Sequence, residues 1–207
     1  MKIITISREF GSGGRELGKR LADTLGFDYY DREIISAIAE NKNLDEHFVE
    51  NVIDTAPVWQ SVHLTFGHSF ATIPAAQNWQ TNLLLEQKRI LEEIAAKGRD
   101  CVIVGRNADV VLSRYNPFSI FVCADMASRV KRCMERATDS EKLTYRQIEK
   151  NIRRIDKNRS HTREILTDSK WGERGEYHLI VNTTDWDLKK LTQAVAAFAN
   201  SWFEERE

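Results

Sequence analysis

The sequence predicts an α/β protein built on a parallel sheet of about five strands. Three observations point there. First, short runs such as Cys101–Gly105, Ser119–Cys123 and His178–Asn182 are apolar without alternation, as befits strands covered on both faces. Second, segments with apolar residues at helical spacing separate these runs, which calls for right-handed crossovers. Third, the opening run Ile3–Ser7 leads through a glycine-rich stretch, Gly11-Ser12-Gly13-Gly14, straight into a helical pattern. Ligands in such sheets bind beyond the carboxyl ends of the strands, and that stretch falls at this edge.

In chain order, Ile3–Ser7 is the first strand. Leu17, Leu21 and Leu25 recur at i, i+4, i+8 and define a helix over 14–25, with Gly26 as its stop. A short second strand is expected over Phe27–Asp31, then a helix carrying Ile34, Ile35 and Ile38. Residues 55–82, with Pro57, Trp59, His63, Phe66, His68, Phe70, Pro74 and Trp79, are aromatic and poor in charge, and read as an arm or flap. A long helix follows over about 82–97 and closes at Gly98. After the strands at 101–105 and 119–123 comes a strongly basic helix over 144–166. The last strand at 178–182 precedes a helix over 187–203 that Asp185 or Asp187 caps.

Composition narrows the function. The 207 residues fit one domain, and 42% hydrophobic content supports a core. Charged residues make up 29% but cancel to a net charge of −1, which removes the global electrostatic case for nucleic-acid binding. No apolar run reaches the ~18 residues a membrane helix needs. The three cysteines, Cys101, Cys123 and Cys133, form no Cys-x-x-Cys pair and read as reduced thiols of a cytoplasmic protein. His47, His63, His68, His161 and His178 show no metal spacing, and no metal site is expected from protein ligands.

The loop carries the chemistry. Glycines bring the backbone close to an anion, successive N–H groups point at it, and the positive end of the helix faces it. Gly11, Ser12, Gly13 and Gly14 form that cradle. A Walker A loop ends in Gly-Lys-Ser/Thr, whereas here Gly13 is followed by Gly14 and Arg15, so the lysine is missing. Arg15 and Arg8 are the candidate stand-ins, because a guanidinium also binds phosphate, and bidentately. Glu16 stands near the position of the metal-binding hydroxyl. It either contacts a phosphate-bound metal or is simply a first-turn acid favoured by the helix dipole. On the basic helix, Ile152, Asp156, Arg159 and Arg163 follow i, i+4, i+7, i+11 along one stripe.

Four segments together resemble the cytidylate kinase-like family of nucleoside monophosphate kinases. They are Ser7–Leu17, Val104-Gly105-Arg106-Asn107, Ile120–Asp125 with Ser128–Arg132, and Asp156-Lys157-Asn158-Arg159 with Arg163. The closing strand Leu179–Thr183 is similar as well. The resemblance is to a divergent branch that lacks the Walker A lysine. It implies a three-layer P-loop kinase fold over 1–207, with a core of 1–31, 83–137 and 171–207, a substrate arm over about 32–82 and a lid over about 138–170. It implies transfer of the γ-phosphate of ATP, with Mg²⁺, to a nucleoside monophosphate, most simply CMP. The implied acceptor-side residues are Asp31, Arg32, Arg106, Asn107, Asp156 and Arg159, with Asn107 standing where the family has Asp. Arg15, Arg159 and Arg163 would stabilise charge on the phosphoryl in flight. Two alternatives stand beside this: a catalytically weak relative that binds or senses a nucleotide or other phosphorylated ligand, and a kinase for a different small acceptor.

Overall fold

The structure, a computed structural model, describes residues 1–54, 75–137 and 143–206. Its elements are β1 (Ile3–Arg8), α1 (Gly14–Leu25), β2 (Asp28–Tyr30), α2 (Glu33–Lys42), α3 (Glu46–Asp54), α4 (Ala75–Ala96), β3 (Cys101–Val104), α5 (Ala108–Val111), β4 (Phe118–Cys123), α6 (Met126–Arg136), α7 (Tyr145–Leu166), β5 (Leu179–Asn182) and α8 (Leu188–Glu204). The five strands form one sheet in the order β2-β3-β1-β4-β5, and every pairing is parallel.

Each strand is apolar on both faces because helices cover both. On one face Ile34 and Ile38 of α2 and Leu83 and Leu91 of α4 pack with Ile3 and Ile103. On the other, Leu17 and Leu21 of α1 and Val195 and Phe203 of α8 pack with Ile4, Val102 and Ile120. Each such buried side chain contributes about 1.5–3 kcal/mol of transfer free energy. A third, smaller cluster of Val130, Ile148 and Ile152 joins α6 to α7.

Local signals set the ends. Gly26 ends α1 at φ 70°, its N–H bonded to Ala22 O. Asp187, rather than Asp185, caps α8 by accepting from Lys189 N at 2.7 Å and Lys190 N at 3.1 Å. Thr144 and Gln147 form a capping box at the start of α7.

The long helix departs from expectation. α4 starts at Ala75, not near 82, so the last part of the stretch read as a flap is helical. Trp79 sits on that helix with its ring edge-on to Phe48 of α3, centroids 6.0 Å apart. Packing against a neighbouring helix explains an aromatic there. Most of the expected flap, including His63 and His68, lies outside the described residues.

The centre of the sheet positions the site. β1 runs between β3 and β4, so its carboxyl end at Arg8 opens where the strand order turns outward on both sides.

Candidate functional site

The loop after β1 is shaped by two glycines in the left-handed region, Gly11 at φ 79° and Gly13 at φ 86°. A Cβ at Gly11 would stand 2.9 Å from Arg129 O, and one at Gly13 2.9 Å from Leu188 Cδ1. Gly13 is the N-cap of α1, and no side chain caps that helix. The first-turn amides are therefore left to an external acceptor, which is what an anion cradle requires. Ser12 is buried and turns its hydroxyl back to Glu9 O at 2.8 Å. Its carbonyl accepts from Thr183 Oγ1 at 2.5 Å.

Glu9 and Phe10 lock this loop to α6 and α7. Glu9 Oε2 accepts from Ala124 N at 3.1 Å and faces Arg129 Nη1 at 3.3 Å. Arg129 Nε donates to Phe10 O at 2.8 Å, and its other nitrogen pairs with Asp156. Asp156 also accepts from Phe10 N at 2.8 Å. The guanidinium of Arg129, only 6% exposed, is thus shared between two carboxylates and a carbonyl. Asp156 lies 3.8 Å from Arg159 but has its nearer partners in Phe10 and Arg129.

Beside the loop, at the carboxyl ends of β1 and β3, lies a cleft of about 40 Å³ lined by Ser7, Arg8, Gln87, Gly105, Arg106, Asn107, Arg159, Thr162 and Trp171. It gathers four residues singled out in the sequence: Arg8, Arg106, Asn107 and Arg159. Three guanidinium-bearing side chains converge there, and no carboxylate is among the described lining residues. Arg159 Nη1 donates to Arg8 O at 2.9 Å, and its guanidinium lies 5.6 Å from the Phe10 ring centre.

Its floor is strained. Gly105, Arg106 and Asn107 have φ of 78°, 60° and 50° in succession. A non-glycine residue in that region costs about 1–2 kcal/mol, and such strain concentrates at ligand sites. Gln87 of α4 holds the turn by donating from Nε2 to Arg106 O at 2.9 Å. The same side chain is 1% exposed, and its Oε1 has no hydrogen-bond partner among the described residues.

Other sequence candidates sit elsewhere. Arg15 does not turn into the cradle: its Nε lies 2.5 Å from Asp31 Oδ2. Asp31 is buried and faces Arg8 as well, at 3.7 Å. Burial and then Asp31 push the neighbouring Tyr29 hydroxyl up to about 12, so it stays protonated. Glu16 accepts from Arg20 at 2.9 Å and from Arg136 at 2.7 Å, the arrangement of a solvated first-turn acid. Arg32 is exposed at the start of α2. Arg163 is 2% exposed and meets Asp109 at 2.6 Å, Ser169 at 2.8 Å and Glu176 at 3.5 Å. Burial lowers its pKa, but Asp109, Tyr177 and Glu176 together outweigh that and the net shift is upward. Arg163 borders a larger cavity of about 990 Å³, lined also by Met1, Lys2, Pro117 and His178 near the amino ends of the strands. The glycine loop does not line that cavity, so size does not mark the site here. The loop's own geometry does.

The donor set at the loop does not build a protein cage for Mg²⁺. Glu16, Glu9 and Asp31 are each engaged by arginine. Among the described residues no three His, Cys, Asp or Glu side chains cluster as metal ligands. Burial raises the thiol pKa of all three cysteines, Cys101 to about 12, which keeps them as thiols. No helix among the described residues is long and apolar enough to cross a membrane.

Residues 3–185 match the model of the cytidylate kinase-like family. The chain belongs to the cytidylate kinase-like family. Among solved structures it is similar to an uncharacterized protein from Eubacterium ventriosum, at 23% identity over 97% of this chain and 99% of that one, with a TM-score of 0.68. It is also similar to shikimate kinase from Bacteroides thetaiotaomicron, at 13% identity over 96% and 98% of the two chains with a TM-score of 0.58. Shikimate kinase from Acinetobacter baumannii in complex with shikimate gives 12% identity over 97% and 94%, with a TM-score of 0.56. No match was found among curated proteins. At these identities the neighbours speak for the P-loop kinase fold. Family and fold together support a phosphotransferase.

Reasoning from sequence missed Gln87, Thr162, Trp171 and the Glu9–Arg129–Asp156 lock. Gln87 lies on a long amphipathic helix and carries no motif. Glu9 and Arg129 are 120 residues apart in sequence, and only the fold joins them.

Proposed function

We propose that the protein transfers the γ-phosphate of ATP, supplied as its Mg²⁺ complex, to a nucleoside monophosphate, most simply CMP. The observation that carries this is the cleft of Arg8, Arg106 and Arg159 beside an uncapped glycine loop. Guanidinium groups offer planar, bidentate donors that match phosphate oxygens. A phosphorylated acceptor suits a cleft lined by three of them better than an uncharged one does.

In this reading the amides of Gly11 to Gly14 and the first turn of α1 hold the donor's phosphates. Arg106 and Asn107 meet the acceptor, and Asp31 shapes the arm side by holding Arg15. Arg159 bridges the two as charge moves from donor to acceptor, in the manner of a phosphoryl clamp. Asp156 keeps α7 seated on the loop. Arg163 anchors the base of the same helix. The cleft holds about 40 Å³, well below the ~300 Å³ of an ordinary ligand site. In this reading a nucleotide enters when α7 lifts from α3. The hydrogen bond from Thr162 Oγ1 to Ile53 O at 3.3 Å is a contact that such opening breaks. Lid motions of this kind run on the microsecond-to-millisecond scale.

A second reading, a nucleotide binder without turnover, is favoured by Gly14 in the lysine position. The test is ADP formation from Mg·ATP across a panel of nucleoside monophosphates and neutral hydroxylated acceptors. Turnover on CMP above the rest supports the proposal. Nucleotide binding with no ADP in any mixture supports the second reading, and turnover confined to a neutral acceptor contradicts the arginine-cleft argument.

A further inference from the structure

Gly14, which stands where the lysine is missing, packs directly against the Arg8 side chain. Gly14 opens α1 without a left-handed φ, so its backbone does not demand glycine. Space does. A Cβ at position 14 would stand 2.6 Å from Arg8 Cβ, 3.0 Å from Arg8 Cγ and 3.3 Å from Val122 Cβ. The Arg8 side chain then runs on across Gly105, where a Cβ would stand 1.6 Å from Nη1 and 2.6 Å from Cζ. Two glycines from separate crossings of the sheet thus form a track for one arginine. Its side chain is only 11% exposed and ends in the cleft shared with Arg106 and Arg159. Asp31 stands 3.7 Å from one guanidinium nitrogen and takes Arg15 on its other oxygen.

We infer that Arg8 is the phosphate-contacting cation of this site, delivered from the end of β1 through the space that a side chain at position 14 would fill. This rests on the phosphotransferase reading above. It adds that the fixed charge has moved from the start of α1 to the end of β1, with Gly14 and Gly105 as the conditions for that move. A guanidinium in this place offers a planar fork to two phosphate oxygens, where an ammonium offers a point charge.

A charge-relocation series tests it. The clash at position 14 involves Arg8 Cβ, so position 8 must become glycine for a lysine to enter. Arg8→Gly is expected to lower kcat for ADP formation at least 100-fold, with the acceptor KM changed less than 5-fold. Arg8→Lys retains activity within about 10-fold of wild type. Gly14→Lys alone, with Arg8 in place, lowers the melting temperature and the activity together. The double variant Arg8→Gly/Gly14→Lys regains at least 10-fold over Arg8→Gly and melts above Gly14→Lys. A double variant no more active than Arg8→Gly overturns the inference, as does Gly14→Lys with wild-type melting. If wild type turns over no acceptor, the phosphotransferase reading fails by itself, and Mg·ATP affinity decides the inference. A loss of 10-fold or more in Arg8→Gly, restored in the double variant, upholds it, and unchanged affinity in Arg8→Gly refutes it.

Discussion

The backbone N–H of Phe10 donates to Asp156 Oδ1 at 2.8 Å, across 146 residues of sequence. A loop amide is thus held by a carboxylate of α7, and the same carboxylate balances the buried Arg129. Asp156→Ala removes the acceptor of Phe10 N and one of the two carboxylates on Arg129, which keeps Glu9 and the Phe10 carbonyl. Breaking a buried pair from one side costs about 3 kcal/mol or more. Urea denaturation is expected to show a loss of that size, with a smaller loss in Asp156→Asn, whose amide oxygen still accepts from Phe10. Equal stability of wild type and Asp156→Ala would dismiss the lock.

Arg159 and Arg163 stand one turn apart on α7 and are expected to fail in different ways. Arg159 lines the cleft, so Arg159→Ala lowers turnover about 100-fold or more with a melting temperature near wild type. Arg163 is buried against Asp109, so Arg163→Met destabilises by roughly 3–5 kcal/mol and leaves the affinity of the folded fraction for ATP within a few-fold. Thermal melts and steady-state kinetics on both variants separate the two. The reverse pattern would exchange their roles.

Gly13→Val is expected to abolish nucleotide binding. Position 13 needs φ 86°, which strains any side chain, and a Cβ there meets Leu188 Cδ1 at 2.9 Å, so either that side chain or the loop must give way. Strain of about 1–2 kcal/mol accompanies the left-handed backbone alone. Retained ATP affinity in a folded Gly13→Val would show that the cradle does not hold phosphate.

These variants draw on features that were unequally visible in the sequence. The α/β class and the cradle glycines were legible because they are local: Leu17, Leu21 and Leu25 sit at fixed spacing, and Gly11 to Gly14 are consecutive. Arg8, Arg106 and Arg159 could be picked out one by one, but not their convergence, which depends on sheet order. The partners of Arg15 and Arg163 were hidden for the same reason. Each is an arginine on the expected face, and each finds a buried acid, Asp31 or Asp109, that no spacing connects to it. Trp79 suggested a flap because an aromatic in a polar stretch does not reveal that Phe48 will lie beside it.

His178 gives a pH dependence. Burial, and then Arg206, lower its pKa below the ordinary value near 6.5, and Nδ1 accepts from Ser119 N at 3.0 Å in the neutral form. The unfolded chain takes up the proton before the folded one does. The contribution is therefore complete above about pH 6.5 and is lost as pH falls through that value towards the lower folded pKa. Melting temperature is expected to drop between pH 7.5 and 5.5, and by less in His178→Gln. A parallel drop in the variant would assign the effect to other groups.

Titration calorimetry of the wild-type protein with Mg·ATP, set against Gly13→Val, tests the central claim most directly. The account predicts saturable heat for wild type, since amides and guanidinium groups replace the absent ammonium, and none for the variant. No heat from wild type at saturating nucleotide would contradict it and leave the glycine loop as a turn between a strand and a helix.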